Sequence, residues 1–227
     1  MMRRSSRMRF VRGTLFYLML AVILLVTILP FLWMLSSSFK GQEAIRTIPI
    51  RWIPERPTLE GYERVFNMQG FSFARASLNS LLLAVGCTVA EVASSAMAAF
   101  VFAKLPFKGS GKVFGIYLAT MMIPNTVTMV PNYIILRSLG LLDTYTGLIL
   151  PYLGKAFSVF LMRQSMLGVN DAYLESAFLD GASLYRVFWK IMLPMVTPTL
   201  ATLTLISFMG SWNSYLWPLI VLTSTDK

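Results

Sequence analysis

An all-α membrane protein is the fold class that this sequence predicts, on three grounds. Hydrophobic residues make up 56% of the 227 positions and charged residues only 13%, against about 25% charged in an ordinary soluble domain. The charges lie in clusters between long uncharged runs. The strict short-segment alternation of a membrane β-barrel is missing, so helices must satisfy the backbone of those runs internally.

Taken in order, residues 1–13 form a basic N-terminus carrying Arg3, Arg4, Arg7, Arg9 and Arg12. No charge then intervenes before Lys40, and about 20 apolar residues suffice to cross a hydrocarbon core of roughly 30 Å, which predicts a first membrane helix over 14–36. The stretch is too long for a signal-peptide core and lacks a small-residue cleavage site, so it reads as an uncleaved anchor. Four more runs follow: 76–103, interrupted by Glu91; 113–136; 144–162, interrupted by Lys155; and 195–222. The predicted divisions are the N-terminus, the helix 14–36, a loop 37–75 and a core 76–227.

The positive-inside bias places the N-terminal arginines, the Lys104/Lys108/Lys112 turn and the segment 163–194 in the cytoplasm. The loop 37–75 and the last residues, Thr225 to Lys227, then lie outside. In that loop Thr58 is a candidate cap for a short helix carrying Tyr62, Val65 and Phe66. A packed lid or a docking surface for an outside partner would both suit it.

Composition closes several routes. Histidine is absent and Cys87 is the one cysteine, which excludes a Cys/His zinc site, an internal disulfide and a histidine-dependent triad. The net charge of +10 sits in loops between spans, so no nucleic acid is implied. Lys108-Gly-Ser-Gly-Lys112 imitates a phosphate loop, but Pro106 stands where its first glycine belongs and Val113 replaces the magnesium-binding Ser or Thr. It reads as a charged turn. Glu91 and Lys155 lie at membrane depth, where an unpaired charge costs roughly 3 kcal/mol or more. Each should face the bundle interior, a water cavity or the other, and an ion-coupled carrier could use them. Trp212, Asn213, Ser214 and Tyr215 interrupt the fifth run with polar donors beside aromatic faces, suited to a polyol in a solute path or to interhelical hydrogen bonding. Pro124, Pro131 and Pro151 should kink or loosen the third and fourth spans.

The fourth and fifth spans are joined by about 30 residues with a definite pattern, longer than most connections. Asn170 or Asp171 can cap a first helix, with Glu175 in its first turn, where the dipole favours acids. Leu174, Ala177 and Phe178 fall at i, i+3 and i+4. Gly181 supplies a left-handed stop, Ser183 can start a second helix, and Leu184, Val187, Phe188 and Ile191 share a face before Pro194. These apolar stripes suit either the protein's own helix ends and the headgroup layer, or a groove on a cytoplasmic partner.

The run Glu175-Ser-Ala-Phe-Leu-Asp180-Gly181-Ala182, followed by Leu193-Pro194 and Pro198, resembles the cytoplasmic loop of permease subunits in binding-protein-dependent ABC importers. It departs from that pattern at Ser176, where alanine is usual. Ser37-Ser-Phe-Lys40, Pro131-Asn-Tyr133, Gly140-Leu-Leu-Asp-Thr144 and Trp212-Asn-Ser-Tyr-Leu-Trp-Pro218 are similar to the carbohydrate branch, in particular its maltose-type second permeases. The resemblance covers about residues 14–222. It implies a type I ABC importer transmembrane domain with five helices present of an expected six, the chain being truncated before the last.

The resemblance also implies a coupling helix within the loop 163–194, with Glu175, Ala177, Asp180, Gly181, Ala182, Leu193 and Pro194 contacting a partner ATPase. The expected partners are a second permease, two cytoplasmic ATP-binding subunits, an extracytoplasmic solute-binding protein and the lipid bilayer. No catalytic residue, cofactor or metal is expected in this chain; ATP and magnesium belong to the ATPase. A bacterial or archaeal cytoplasmic membrane is implied, with sugars or related polyols as solutes. The alternatives are another solute, such as glycerol phosphate or a peptide, or the ion-coupled carrier.

Overall fold

A computed structural model of the chain describes the backbone of residues 2–105 and 107–223 and the side chains from Arg12 onward. The arginines at 3–9, Pro106 and the exit of Thr225–Lys227, on which parts of the sequence reading rest, lie outside the described residues or side chains. The chain divides into two compact units, 1–74 and 75–227.

In the first unit, α1 (Met2–Ser38) is longer than the predicted 14–36, because the basic N-terminus continues the helix. Its apolar stretch from Leu15 to Leu35 is exposed, the surface a hydrocarbon layer would cover. Short helices α2 (Gln42–Ile45) and α3 (Glu60–Phe66) follow. The connecting loop is pinned to the end of α1. Lys40 is buried, donating to the Arg51 carbonyl at 2.5 Å and lying 4.1 Å from the Trp33 ring centroid. Ser36 donates to the Trp52 carbonyl, and Trp52 packs edge-on against Trp33. Thr58 accepts from the Glu60 amide at 3.1 Å, capping α3 as its position suggested. Within this unit the loop is pinned at Lys40, Ser36 and Trp52, while most of its residues are exposed.

The second unit holds most of α4 (Phe73–Lys104), an unbroken membrane-length helix. Its buried face carries Ala84, Cys87, Thr88, Ser95, Ala96 and Ala99, small residues that let neighbouring backbones approach closely. The remaining three runs differ from their predicted form, for each is broken. The third is α5 (Ser110–Ala119), a 3-10 turn to Met122 and α6 (Asn125–Ser138), bent by 103°. The fourth is α7 (Tyr145–Ile149), a 3-10 turn to Tyr152 and α8 (Ala156–Leu167), bent by 48°.

The fifth run, 195–222, is not one helix. α12 (Thr197–Trp212) stops at Asn213, and α13 (Leu216–Val221) follows. Upstream, α9 (Ala172–Leu179), α10 (Leu184–Val187), a π-helical turn Phe188–Met192 and α11 (Leu193–Met195) make up the segment joining α8 to α12. That segment meets α12 at 82°. Pro194 therefore does not end the second helix but lies inside α11, and the chain turns at Val196.

Prolines and backbone competition explain the breaks. Pro124, which has no amide proton, precedes α6, and Pro151 lies in the 3-10 turn. Asn213 donates its side-chain amide at 2.8 Å to the Met209 carbonyl, which also accepts the Asn213 backbone amide at 3.1 Å, so the side chain shares the last rung of the α12 ladder. Residues from α4, α5, α8, α9, the π-turn and α12 share one core of Ala99, Phe100, Phe114, Met162, Met166, Leu174, Phe188 and Leu203. A smaller cluster joins Leu136, Leu148 and Val221. Among the described residues there is no strand.

Candidate functional site

The loop between α8 and α12 is built as its local signals predict. The Asn170 side chain accepts from the Ala172 amide at 3.0 Å, opening α9. At its end Gly181 is left-handed, with φ of +77°, and the Ala182 amide reaches back to the Ala177 carbonyl at 2.9 Å, the six-to-one closure of a glycine stop. Ser183 then accepts from the Arg186 amide at 3.3 Å and starts α10.

Burial divides the predicted stripes. Leu174, Ala177, Val187 and Phe188 are buried in the protein's own core, so these positions seat the loop rather than offer it to a partner. Phe178 and Leu184 are exposed. Of the residues singled out by the resemblance, Glu175, Asp180, Gly181 and Pro194 are exposed, Ala182 and Leu193 half-buried, and Ala177 buried. The apolar groups standing furthest into solvent are Leu179, 89% exposed, and Tyr185, 73% exposed. Sequence reasoning passed over both, since neither falls on an amphipathic stripe.

The loop is tied to the end of α4. Lys104 has a side chain 4% exposed; its ammonium contacts Asp171 at 2.5 Å and donates to the Val169 carbonyl at 2.6 Å. Arg163 on α8 donates to the Phe102 carbonyl at 3.2 Å and lies 4.3 Å from the Phe114 ring centroid. Beside these contacts, Lys104, Arg163, Asp171 and Glu175 line a cavity of about 560 Å³.

At membrane depth Glu91 and Lys155 are brought together. Lys155 Nζ lies 2.9 Å from Glu91 Oε2, an ion pair whose angles fall short of a hydrogen bond. Ser158 donates to Glu91 Oε1 at 2.5 Å, and the Gly154 amide donates to Ser94 at 2.9 Å. The break in the fourth span is thus stitched to α4. Lys155 also occupies the position just before α8, without a side-chain cap, where the dipole disfavours a cation; the nearby carboxylate offsets that.

The predicted solute-path residues are divided by the end of α12. Trp212, Ser214 and Tyr215 line a cavity of about 380 Å³ together with Asn79 and Tyr145, while Asn213 lines none of it. Ser214 also borders a second cavity. Of Lys108–Lys112, Lys108 and the left-handed Gly109 form the turn, while Ser110 to Lys112 open α5. Among the described residues no group of histidine, cysteine or acids is placed to hold a metal ion.

Comparison with known proteins agrees with this architecture. The family described as binding-protein-dependent transport system inner membrane component matches residues 92–226, more than half of the chain. The arabinooligosaccharides transport system permease protein AraQ of Bacillus subtilis is 34% identical, over 94% of this chain and 75% of its own length. The diacetylchitobiose uptake system permease protein NgcG of Streptomyces coelicolor is 32% identical, over 89% and 67%. The sn-glycerol-3-phosphate transport system permease protein UgpE of Escherichia coli is 32% identical, over 82% and 67%. A crystal structure of a bacterial ABC transporter involved in import of the acidic polysaccharide alginate contains a chain with a TM-score of 0.86 and 25% identity, matched over 96% of this chain and 77% of that one. With the broken helices and the glycine-hinged loop before α12 in place, this chain belongs to the inner membrane component family of binding-protein-dependent transport systems, the permeases of ABC importers.

Proposed function

We propose that this chain is the permease subunit of an ATP-driven importer for sugars or related polyols. The observation that carries the reading is the loop 170–194, a rigidly seated pair of short helices hinged at Gly181 with Glu175, Leu179, Asp180 and Tyr185 exposed. Apolar and acidic groups on a preformed helical tip suit docking into a groove of a cytoplasmic ATPase. The arabinooligosaccharide and diacetylchitobiose relatives support a carbohydrate solute; the glycerol phosphate relative supports the alternative.

In this reading the N-terminus is cytoplasmic, and a second permease completes the translocation path. Two ATPase subunits bind ATP and magnesium and carry out the hydrolysis, and an outer binding protein delivers solute. The chain itself catalyses no chemistry. Alternating access follows when closure of the ATPases, received at the loop, is passed through the Lys104 and Arg163 contacts to α4 and α8. The ion-coupled carrier built on Glu91 and Lys155 gives way, because family membership favours ATP-driven import and the pair has a structural role in stitching α8 to α4.

The test is affinity purification of the full-length protein in mild detergent, then uptake in proteoliposomes of arabinotriose, diacetylchitobiose and sn-glycerol 3-phosphate. Co-purification of an ATPase and a second permease, with ATP-dependent uptake of a neutral oligosaccharide, is the expected result. A homo-oligomer lacking an ATPase, with uptake driven by an ion gradient, would overturn it.

A further inference from the structure

Three of the spans break, and the three breaks border one cavity. It has a volume of about 420 Å³ and is lined at the start of α6 by Asn125, Thr128 and Asn132, at the break before α8 by Tyr152 and Lys155, and beyond α12 by Ser214. The volume falls within the roughly 300–1,000 Å³ of small-molecule sites. Discontinuous membrane helices whose ends converge on a cavity are a recurring way to build a solute site, because the broken ladder frees polar groups where water or ligand can meet them.

The chemistry of the lining narrows the ligand. Among the described residues Lys155 is the one ionised side chain lining this wall, and its charge is already balanced by Glu91 at 2.9 Å. Glu91 is buried and Lys155 half-exposed, so the ammonium presents donor protons to the cavity with its counter-charge behind it. Lys155 also lies 3.9 Å from the Tyr152 ring centroid, which fixes its direction. Thr128 turns its hydroxyl proton to the Asn125 carbonyl at 3.0 Å, leaving its oxygen as an acceptor. Among the described residues no side-chain hydrogen bond occupies the Asn132 amide, which offers both a donor and an acceptor. Trp217 spends its indole proton on the Leu148 carbonyl at 3.3 Å and contributes an apolar wall. Amides, hydroxyls and aromatic faces around a neutralised cation match a ligand with many hydroxyls and no net charge. An anionic solute would draw Lys155 away from Glu91 and meet that carboxylate's repulsion.

We propose that this cavity is a solute-contact site for neutral polyhydroxylated molecules, with the Lys155 ammonium, its charge balanced by Glu91, as its central donor and Asn132 and Ser214 as flanking polar contacts. The assignment rests on the importer reading above. It adds residues from α6 and α8 to the path otherwise assigned to Trp212–Tyr215.

The test uses the full-length chain in its complete importer, reconstituted in proteoliposomes with the binding protein. Thr128→Cys and Asn132→Cys are made singly, with Gly111→Cys in the first turn of α5 as a control. Cys87, the chain's native cysteine, is buried and gives a low background. Labelling by a hydrophilic maleimide is followed as a mass shift of this subunit. Arabinotriose should slow labelling at positions 128 and 132 by at least fivefold and leave position 111 unchanged, while sn-glycerol 3-phosphate should protect neither. ATP-driven arabinotriose uptake with no protection at either position would overturn the site and leave the importer reading standing. Protection by glycerol phosphate alone would overturn the assignment to neutral solutes. Uptake that persists without ATP would overturn the importer reading, and this assignment with it.

Discussion

Replacement of Gly181 separates folding from docking, because the structure gives the two different costs. Gly181 has φ of +77°, and a Cβ built on it meets nothing within 4 Å in this chain. The internal penalty of a side chain is therefore backbone strain alone, about 1–2 kcal/mol for a non-glycine residue in the left-handed region, reduced by roughly 0.5 kcal/mol through the less flexible unfolded chain. Asparagine tolerates that region best. Gly181→Asn should accordingly keep insertion and thermal stability within about 1 kcal/mol of the parent.

If Gly181 lies against an ATPase, the same variant puts bulk where close approach is required, and ATP-dependent uptake should fall at least tenfold. Gly181→Glu should be more severe, since it sets a third carboxylate beside Glu175 and Asp180. The assay pairs detergent melting and ATPase co-purification with uptake in proteoliposomes. Uptake within twofold of the parent for Gly181→Asn and Gly181→Glu, with the ATPase still bound, would refute the docking argument.

Three further outcomes are expected. Lys155→Met strands a buried Glu91 carboxylate: the pair at 2.9 Å has a gross attraction of about 6 kcal/mol at an effective dielectric constant near 20. Because Lys155 is 41% exposed, a net loss of about 3 kcal/mol is expected in equilibrium unfolding; Glu91→Gln should cost less, as Lys155 keeps its solvent and Ser158 its acceptor, and equal losses would contradict this. Gly147→Ala would place a Cβ 2.2 Å from the Leu141 carbonyl oxygen, so a loss of about 2–3 kcal/mol is expected, read as a lower melting temperature and reduced membrane yield. Lys104→Met frees Asp171 and the Val169 carbonyl, and faster limited proteolysis between residues 168 and 172 should report the loosened start of α9, at about 1–2 kcal/mol.

The sequence by itself determined whatever depends on composition or on neighbours within one helical turn. The five apolar runs follow from length against bilayer thickness. The Asn170 and Ser183 caps, the Thr58 cap and the Gly181 stop each satisfy a backbone group two to five positions away, so their residue types sufficed to place them. The loop 170–194 was legible for that reason, and its resemblance to importer permeases rests on the same residues.

Tertiary structure alone decided the rest. Glu91 could have faced a cavity, the bundle or Lys155, and only the approach of α8 to α4 joined the two. The candidate residues Trp212–Tyr215 were legible as a polar interruption, but not as a helix end, because whether an asparagine closes a helix depends on the acceptors the folded backbone leaves within reach, here the Met209 carbonyl shared by its side-chain and backbone amides. The Lys104 contact with Asp171 and the buried role of Leu174 and Ala177 depend on which helix lies beside which. So does the meeting of three breaks at one cavity: proline marks where a span can bend, but the direction of each bend is set by packing against other spans.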